Sequence, residues 1–197
     1  SDVGLFDVSH MGEFMLKGKD AEALLQWVCS NDIAKMKNMQ CQYNCFPNKE
    51  GGIVDDLIVY KWDQSEFNLV VNASNIAKDF AWLQAQIKEK GFDVELQNLS
   101  DDLALIAVQG PKALDLLKGL TDIDLEAIAY YHFDAGSVAG LDDIVISNTG
   151  YTGSGGFELY VWNKDAEKLW NALMKAGAEF NVKPCGLAAR DTLRLEK

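Results

Sequence analysis

Two neighbouring carboxylates inside an otherwise apolar strand form the most informative stretch of this sequence. The run is Gly51-Gly52-Ile53-Val54-Asp55-Asp56-Leu57-Ile58-Val59-Tyr60. Side chains alternate across a strand, so Asp55 falls with Ile53, Leu57 and Val59, and Asp56 with Val54, Ile58 and Tyr60. Both faces are apolar, which suits a strand covered on both sides. A carboxylate buried without partners costs on the order of several kcal/mol. At least one of the pair therefore needs dedicated donors or a cavity. The alternative is that both sit at the frayed start of the strand, beside the turn at 48–52, where backbone N–H groups satisfy them.

Two further segments carry polar groups that could do chemistry. Asn148-Thr149-Gly150-Tyr151-Thr152-Gly153-Ser154-Gly155-Gly156-Phe157-Glu158 joins two strands. Its glycines invite a phosphate-loop reading, which fails because no Gly-Lys-Ser/Thr ending or GxGxxG is present and a strand follows, not a helix. What remains is a flexible loop that brings Tyr151 near the surface. It hands over to a strand whose one face carries Glu158, Tyr160 and Trp162. A glutamate beside two aromatics suits a planar, amide-bearing heterocycle, held by carboxylate hydrogen bonds and stacking. The same pattern also fits a solvent face with incidental aromatics. The third segment, Pro184-Cys185-Gly186-Leu187-Ala188-Ala189-Arg190-Asp191-Thr192-Leu193-Arg194-Leu195-Glu196, opens a helix. There Arg190 could clamp a carboxylate bidentately, or join Asp191, Arg194 and Glu196 in surface ion pairs.

The elements that must position these groups follow from hydrophobic spacing. Residues 11–16 read as a strand, and 20–28 as a helix with Ala21, Leu24, Leu25 and Val28 on one face. A strand ends at 44–47; further strands span 53–62 and 67–71. A helix then runs from 75 to 90 and stops at Gly91, followed by a strand at 93–96. The order then begins again. Residues 103–108 form a strand, Gly110-Pro111 opens a short helix to about 117, and strands at 141–147 and 157–162 lead into a helix over 164–176 that ends at Gly177. Gly110 follows Gly18 by 92 residues and Asn163 follows Asn72 by 91, each pair at matching strand-to-helix junctions. This predicts an α+β fold of two related lobes, each an antiparallel sheet with helices packed on it. Chance recurrence of strand–helix alternation is the competing account.

Composition narrows the function classes. The chain has 197 residues, is 48% hydrophobic and carries a net charge of −12. So acidic a surface repels phosphate backbones, and the nearest basic clusters are only Lys17/Lys19 and Lys35/Lys37, which argues against nucleic acid. Four cysteines without a CxxC pair and two histidines make a poor ligand set, so no metal is expected. No apolar run approaches the roughly eighteen residues of a membrane span. The sparse cysteines suit a soluble protein in a reducing compartment. The chain opens without methionine and stops inside a predicted helix, so both ends read as cut.

Leu5-Phe6-Asp7-Val8-Ser9-His10-Met11, GGIVDDLIVY, GYTG…GFE and GLAARDTLRLE, in this order and spacing, resemble the aminomethyltransferase family of glycine cleavage T-proteins. The resemblance covers essentially the whole chain. It implies the first two lobes of a three-lobed cloverleaf around a tetrahydrofolate channel: an inner lobe at about 12–97 and an outer one at about 1–11 plus 98–197. The family's further N-terminal stretch and C-terminal barrel are not in this sequence. By position, the resemblance implies Asp56 as the catalytic carboxylate, with Tyr151 and Glu158 holding the pterin. It also implies Met11, Tyr43, Tyr60, Val70 and Asn72 as lining of the channel and Arg190 as its closure. The implied partner is a lipoylated H-protein, in the cytoplasm of a bacterium or the mitochondrion of a eukaryote. One departure stands out. Where the family has Gly-Glu-Asp-Gly after the threonine, this chain has Gly153-Ser154-Gly155-Gly156, which suggests a looser loop and transfers no role to Ser154 or Gly155. Other implied readings are a non-catalytic folate-binding module, or the folate half of a dimethylglycine- or sarcosine-type enzyme. Without the barrel, this stretch alone is expected to bind folate weakly and to transfer nothing.

Overall fold

Period-two alternation and helical periodicity set the elements of the computed structural model, which describes residues 2–197. The strands are β1 (Val3–Asp7), β2 (Gly12–Lys17), β3 (Gln40–Pro47), β4 (Ile53–Lys61), β5 (Glu66–Val71), β6 (Glu95–Asn98), β7 (Leu103–Gln109), β8 (Phe133–Val138), β9 (Leu141–Ser147), β10 (Gly156–Trp162) and β11 (Val182–Cys185). The α-helices are α1 (Ala21–Val28), α2 (Ile76–Lys90), α3 (Ala113–Lys118), α4 (Asn163–Ala176) and α5 (Leu187–Glu196). They divide into two units. One is His10–Asp101; the other combines the residues up to Ser9 with Asp102–Lys197.

The His10–Asp101 unit holds an antiparallel sheet in the order β3-β4-β5-β2-β6. Alternate residues of its strands, among them Phe14, Leu16, Leu57, Val59, Phe67 and Leu69, pack against Leu24 and Leu25 of α1 and Leu83 of α2. Burial of each such side chain contributes roughly 1.5–3 kcal/mol. The turn from β2 into α1 depends on Gly18, whose φ of 147° is in the region that favours glycine. A Cβ there would lie 2.4 Å from the Asp93 carbonyl oxygen. Gly18→Ala is expected to destabilise the protein by about 2 kcal/mol or more, read as a lower urea midpoint at unchanged slope.

The second unit holds a six-stranded sheet in the order β11-β1-β7-β10-β9-β8. Val3, Leu5, Ile106, Val108, Ile144, Ile146, Phe157, Leu159 and Val161 form its core with Leu116 of α3 and Leu169 and Leu173 of α4. Setting β1 aside, this is the plan of the first unit again. The succession β2-α1-β3-β4-β5-α2-β6 is repeated as β7-α3-β8-β9-β10-α4-β11, with the same lateral order of strands. The junctions agree in detail. Gly18 and Gly110 both have positive φ, and each carbonyl accepts the N–H three residues on, from Ala21 and Ala113, at 3.1 Å.

Three expectations are corrected. The sheet of the second unit is not wholly antiparallel, because β1 runs parallel to β11. Strand β6 starts at Glu95 and not at residue 93, because the Asp93 backbone is taken by the Gly18 turn: its N–H donates to Asp20 Oδ2 at 2.8 Å. Three strands lie outside the expected set: β1, an unbroken apolar run without period-two alternation, and β8 and β11. The last two share a reason. They are the two sheet edges and carry few apolar residues, and β11 contains Pro184, which an edge tolerates.

Candidate functional site

Register alone gathers most of the nominated residues of the first unit on one face. Asp56 pairs with Cys45, Ile58 with Tyr43 and Val70, and Tyr60 with Cys41. Cross-strand partners share a face, so Tyr43, Asp56, Tyr60 and Val70 all lie opposite the helices. Asn72 follows β5 in step with Val70, and Met11 precedes β2 in step with Glu13, which pairs with Val70.

The two adjacent aspartates divide as alternation requires. Asp55 lies with Leu57 and Val59 on the helix side and is 8% exposed; Asp56 is half-buried on the other side. The frayed-start alternative is thereby excluded for Asp55. Asn72 ties them together. Its Nδ2 donates to Asp55 Oδ1 at 2.9 Å and to Asp56 Oδ1 at 2.5 Å. The Tyr43 hydroxyl donates to the other Asp56 oxygen, Oδ2, at 2.5 Å. Asp56 is thus held at both oxygens. Burial would raise the pKa of Asp55, but hydrogen bonds from Asp79, Asn72, Asn75 and the Asp56 backbone outweigh it and hold the carboxyl below its ordinary value.

Asp79, on α2, did not figure in the sequence reading. It is fully buried. Burial first, then its hydrogen bond to Asp55 and the repulsion from that group, push its pKa up to about 8. A signal for it existed: Asp79 interrupts the apolar stripe Ile76, Phe80, Leu83, Ile87 of an otherwise regular amphipathic helix. Among the described residues, no group of three His, Cys, Asp or Glu side chains has metal-holding geometry.

The nominated residues of the second unit form their own group. Glu158, on the β10 face opposite the core, is 8% exposed, so the solvent-face alternative does not hold for it. It accepts a hydrogen bond from the Thr149 hydroxyl, which also meets Ser147 Oγ at 2.8 Å. Burial raises the Glu158 pKa, opposed by the Thr149 bond and the Arg190 charge. Arg190 stacks on Tyr151, its guanidinium 4.2 Å from the ring centroid, with Arg194 at 5.5 Å. Arg190 also lies 3.8 Å from Asp191, an ion pair on the surface of this helix.

The glycine-rich loop is also better tied than expected. Buried Gln109 donates to the carbonyls of Thr149 (3.3 Å) and Phe157 (3.2 Å) and accepts from the Thr152 hydroxyl (2.9 Å). A Cβ at Gly150 would lie 2.1 Å from Gln109 Oε1, so this glycine makes room for the tie. Gln109 ends an apolar strand, which was its only sequence signal.

A repeated sheet-and-helix plan, with carboxylate and amide side chains drawn together in each repeat, defines a protein of the α+β class. The comparison with known families gives this class its place. The chain matches the family described as GCVT N-terminal domain over residues 1–197, and it belongs to that family. It is 57% identical over 194 residues to the aminomethyltransferase of Flavobacterium psychrophilum, covering 98% of this chain and 53% of that protein. It is 54% identical over 196 residues to the aminomethyltransferase of Porphyromonas gingivalis, covering 100% and 53%. The chain therefore spans about half the length of the curated relatives it matches. Among solved structures, the glycine cleavage system aminomethyltransferase T of Bartonella henselae superposes with a TM-score of 0.86 at 34% identity, over 100% of this chain and 51% of that one. The heterotetrameric sarcosine oxidase of Corynebacterium shares the fold at a TM-score of 0.69 and 18% identity, over 93% and 87%.

Proposed function

We propose that this chain is the folate-handling part of a tetrahydrofolate-dependent aminomethyltransferase of glycine cleavage. In that reaction the aminomethyl group on the lipoyl arm of H-protein gives up its methylene carbon to tetrahydrofolate. Its nitrogen leaves as ammonia, and the sulfur returns to the thiol of dihydrolipoyl carrier. Asp56, gripped at both oxygens by Tyr43 and Asn72, is the observation that carries the reading. A carboxylate so fixed can orient a folate nitrogen and stabilise positive charge developing near it, without reorganising during the reaction. Met11, Tyr60 and Val70 join Tyr43 and Asn72 as folate-lining residues. Glu158 accepts hydrogen bonds from the amino-pyrimidinone edge, Tyr151 offers its ring, and Arg190 orders Tyr151 by stacking. The gain from holding the folate and the carrier's carbon in line is large, because the second reactant arrives on a long flexible arm.

The test is ammonia release by the full-length protein from aminomethylated H-protein. Release that depends on tetrahydrofolate supports the reading. Folate binding without release leaves a folate-binding module, and activity only on dimethylglycine or sarcosine points to the oxidase relatives. Among the described residues no helix is long and apolar enough to cross a membrane. The compartment this reading assigns is the cytoplasm of a bacterium or the mitochondrion of a eukaryote.

A further inference from the structure

Three carboxylate oxygens behind Asp56 lack any donor while every aspartate is charged: Oδ2 of Asp55 and both oxygens of Asp79. Asp79 reaches this spot from α2, buried with Leu83 one turn on, and it lies within hydrogen-bonding reach of Asp55. Two charged carboxylates buried side by side carry both a desolvation cost and mutual repulsion. A single proton removes the conflict. Placed on Asp79, it gives Asp55 Oδ2 its missing donor and leaves Asp79 neutral. Asp55 is the better charged partner, because Asn72 already donates to its Oδ1.

We propose that protonated Asp79 is a positioning residue: it fixes the Asp55 carboxylate and, through the Asn72 amide that bridges Asp55 and Asp56, sets the direction of Asp56. The inference rests on the role given to Asp56 above. The chain of contacts is short: Asp79 to the Asp55 carboxyl, Asp55 Oδ1 to Asn72 Nδ2, Asn72 Nδ2 to Asp56 Oδ1. The charged groups that act on Asp79 are Asp55 and Asp56 from β4 and Lys78 from its own helix, whose ammonium is engaged by the Val54 carbonyl at 2.5 Å. Removing the proton sets Asp79 against Asp55, loosens Asn72 and frees Asp56 to turn. With Asp79 titrating at about 8, transfer should fall on the alkaline side of that pH.

Two measurements on the full-length protein test this. The first needs no turnover: infrared spectroscopy with carboxyl-13C aspartate labels separates aspartates from Glu13 and the other glutamates. At pH 7 the wild type should show a protonated aspartate that disappears in Asp79→Asn. A wild type with every aspartate ionised at pH 7 overturns the inference, whatever the enzyme catalyses. The second is the pH profile of ammonia release. Asp79→Asn keeps a donor toward Asp55 but cannot titrate, so it should retain turnover near the wild-type level and lose the alkaline limb. Asp79→Leu removes the donor and should lower kcat severalfold, less than the loss of Asp56 itself, with KM for tetrahydrofolate little changed. An alkaline limb unchanged in Asp79→Asn overturns the proposal. A protonated aspartate in a wild type that releases no ammonia sinks the functional reading instead, so the two failures are told apart.

Discussion

Replacing Asp56 by asparagine is expected to lower the turnover of the full-length protein about a hundredfold, the scale of losing one preorganised electrostatic group. Tetrahydrofolate affinity and the fold should be largely kept. The substitution keeps the size of the side chain but removes its charge. It also sets an amide N–H2 against either the Tyr43 hydroxyl or the Asn72 amide, both of which now donate to Asp56. Asp55→Asn should cost much less in rate. Asp55 lies on the helix side of β4, and its change reaches Asp56 only through Asn72. Its larger effect should be on the protonation of Asp79, whose pKa is raised first by burial and then by the hydrogen bond to Asp55 and that group's charge. Single-turnover rates with calorimetric folate affinities for both variants check this. Equal losses, or a worse Asp55 variant, would mean that the wrong face of the strand has been assigned to chemistry.

Glu158→Gln should weaken tetrahydrofolate binding by roughly tenfold to a hundredfold and lower the chemical rate less. The basis is that hydrogen bonds to a charged acceptor are worth about 1.5–3 kcal/mol, and an amide is a poorer acceptor for the same donors. The pH dependence gives an independent check. The Glu158 pKa is raised mainly by burial, so its charged form, the one that accepts from the pterin, is lost at a higher pH than for an ordinary carboxylate. Wild-type affinity should therefore weaken on mild acidification, whereas the glutamine variant, having nothing to titrate, should be flat over the same range. A dissociation constant unchanged by the substitution removes Glu158 from the pterin site.

How far the sequence alone led depends on which force specified each part. The period of the strands put Asp55 and Asp56 on opposite faces of β4, and the glycines at 18, 91 and 110 marked their turns, because both signals are local. The recurrence of the plan was legible for the same reason: it repeats a local order of strand, glycine and helix. Strand β1 was not legible because its buried run Val3–Phe6 shows no period-two alternation, and β8 and β11 were not legible for a different reason. An edge strand is held by a single neighbour's backbone and needs no apolar alternation of its own. The supporting partners of the site were hidden for another reason. Gln109, Thr149 and Asp79 each meet their partner through the tertiary fold, as Gln109 does with Phe157 and Asp79 with Asp55. Locally, Asp79 only breaks an apolar stripe and Gln109 only ends an apolar strand, which does not say what either meets. The resemblance points to Asp56 and Glu158, and to Tyr43 and Asn72 that grip Asp56, but not to Asp79, Thr149 or Gln109 behind them.

The place of β1 bears on how the chain acquires its shape. Phe6 pairs with Ala107, so the second unit's sheet is interrupted in sequence by the whole of the first unit. Closing so long a gap in an unstructured chain carries a sizeable entropic penalty and slows folding. The inserted unit offers a way round it. Its first and last strands, β2 and β6, lie side by side, with Phe14 opposite Asn98 and the Leu99 N–H donating to the Glu13 carbonyl at 2.8 Å. Once that unit has formed, Ser9 and Asp102 emerge from neighbouring points, and β1 and β7 are joined as if by a short hairpin loop. Hierarchical assembly is the expectation: the inserted unit is made from contiguous sequence and can form first during synthesis. A lesion such as Gly18→Ala, placed wholly inside it, should then delay closure of a sheet it does not touch.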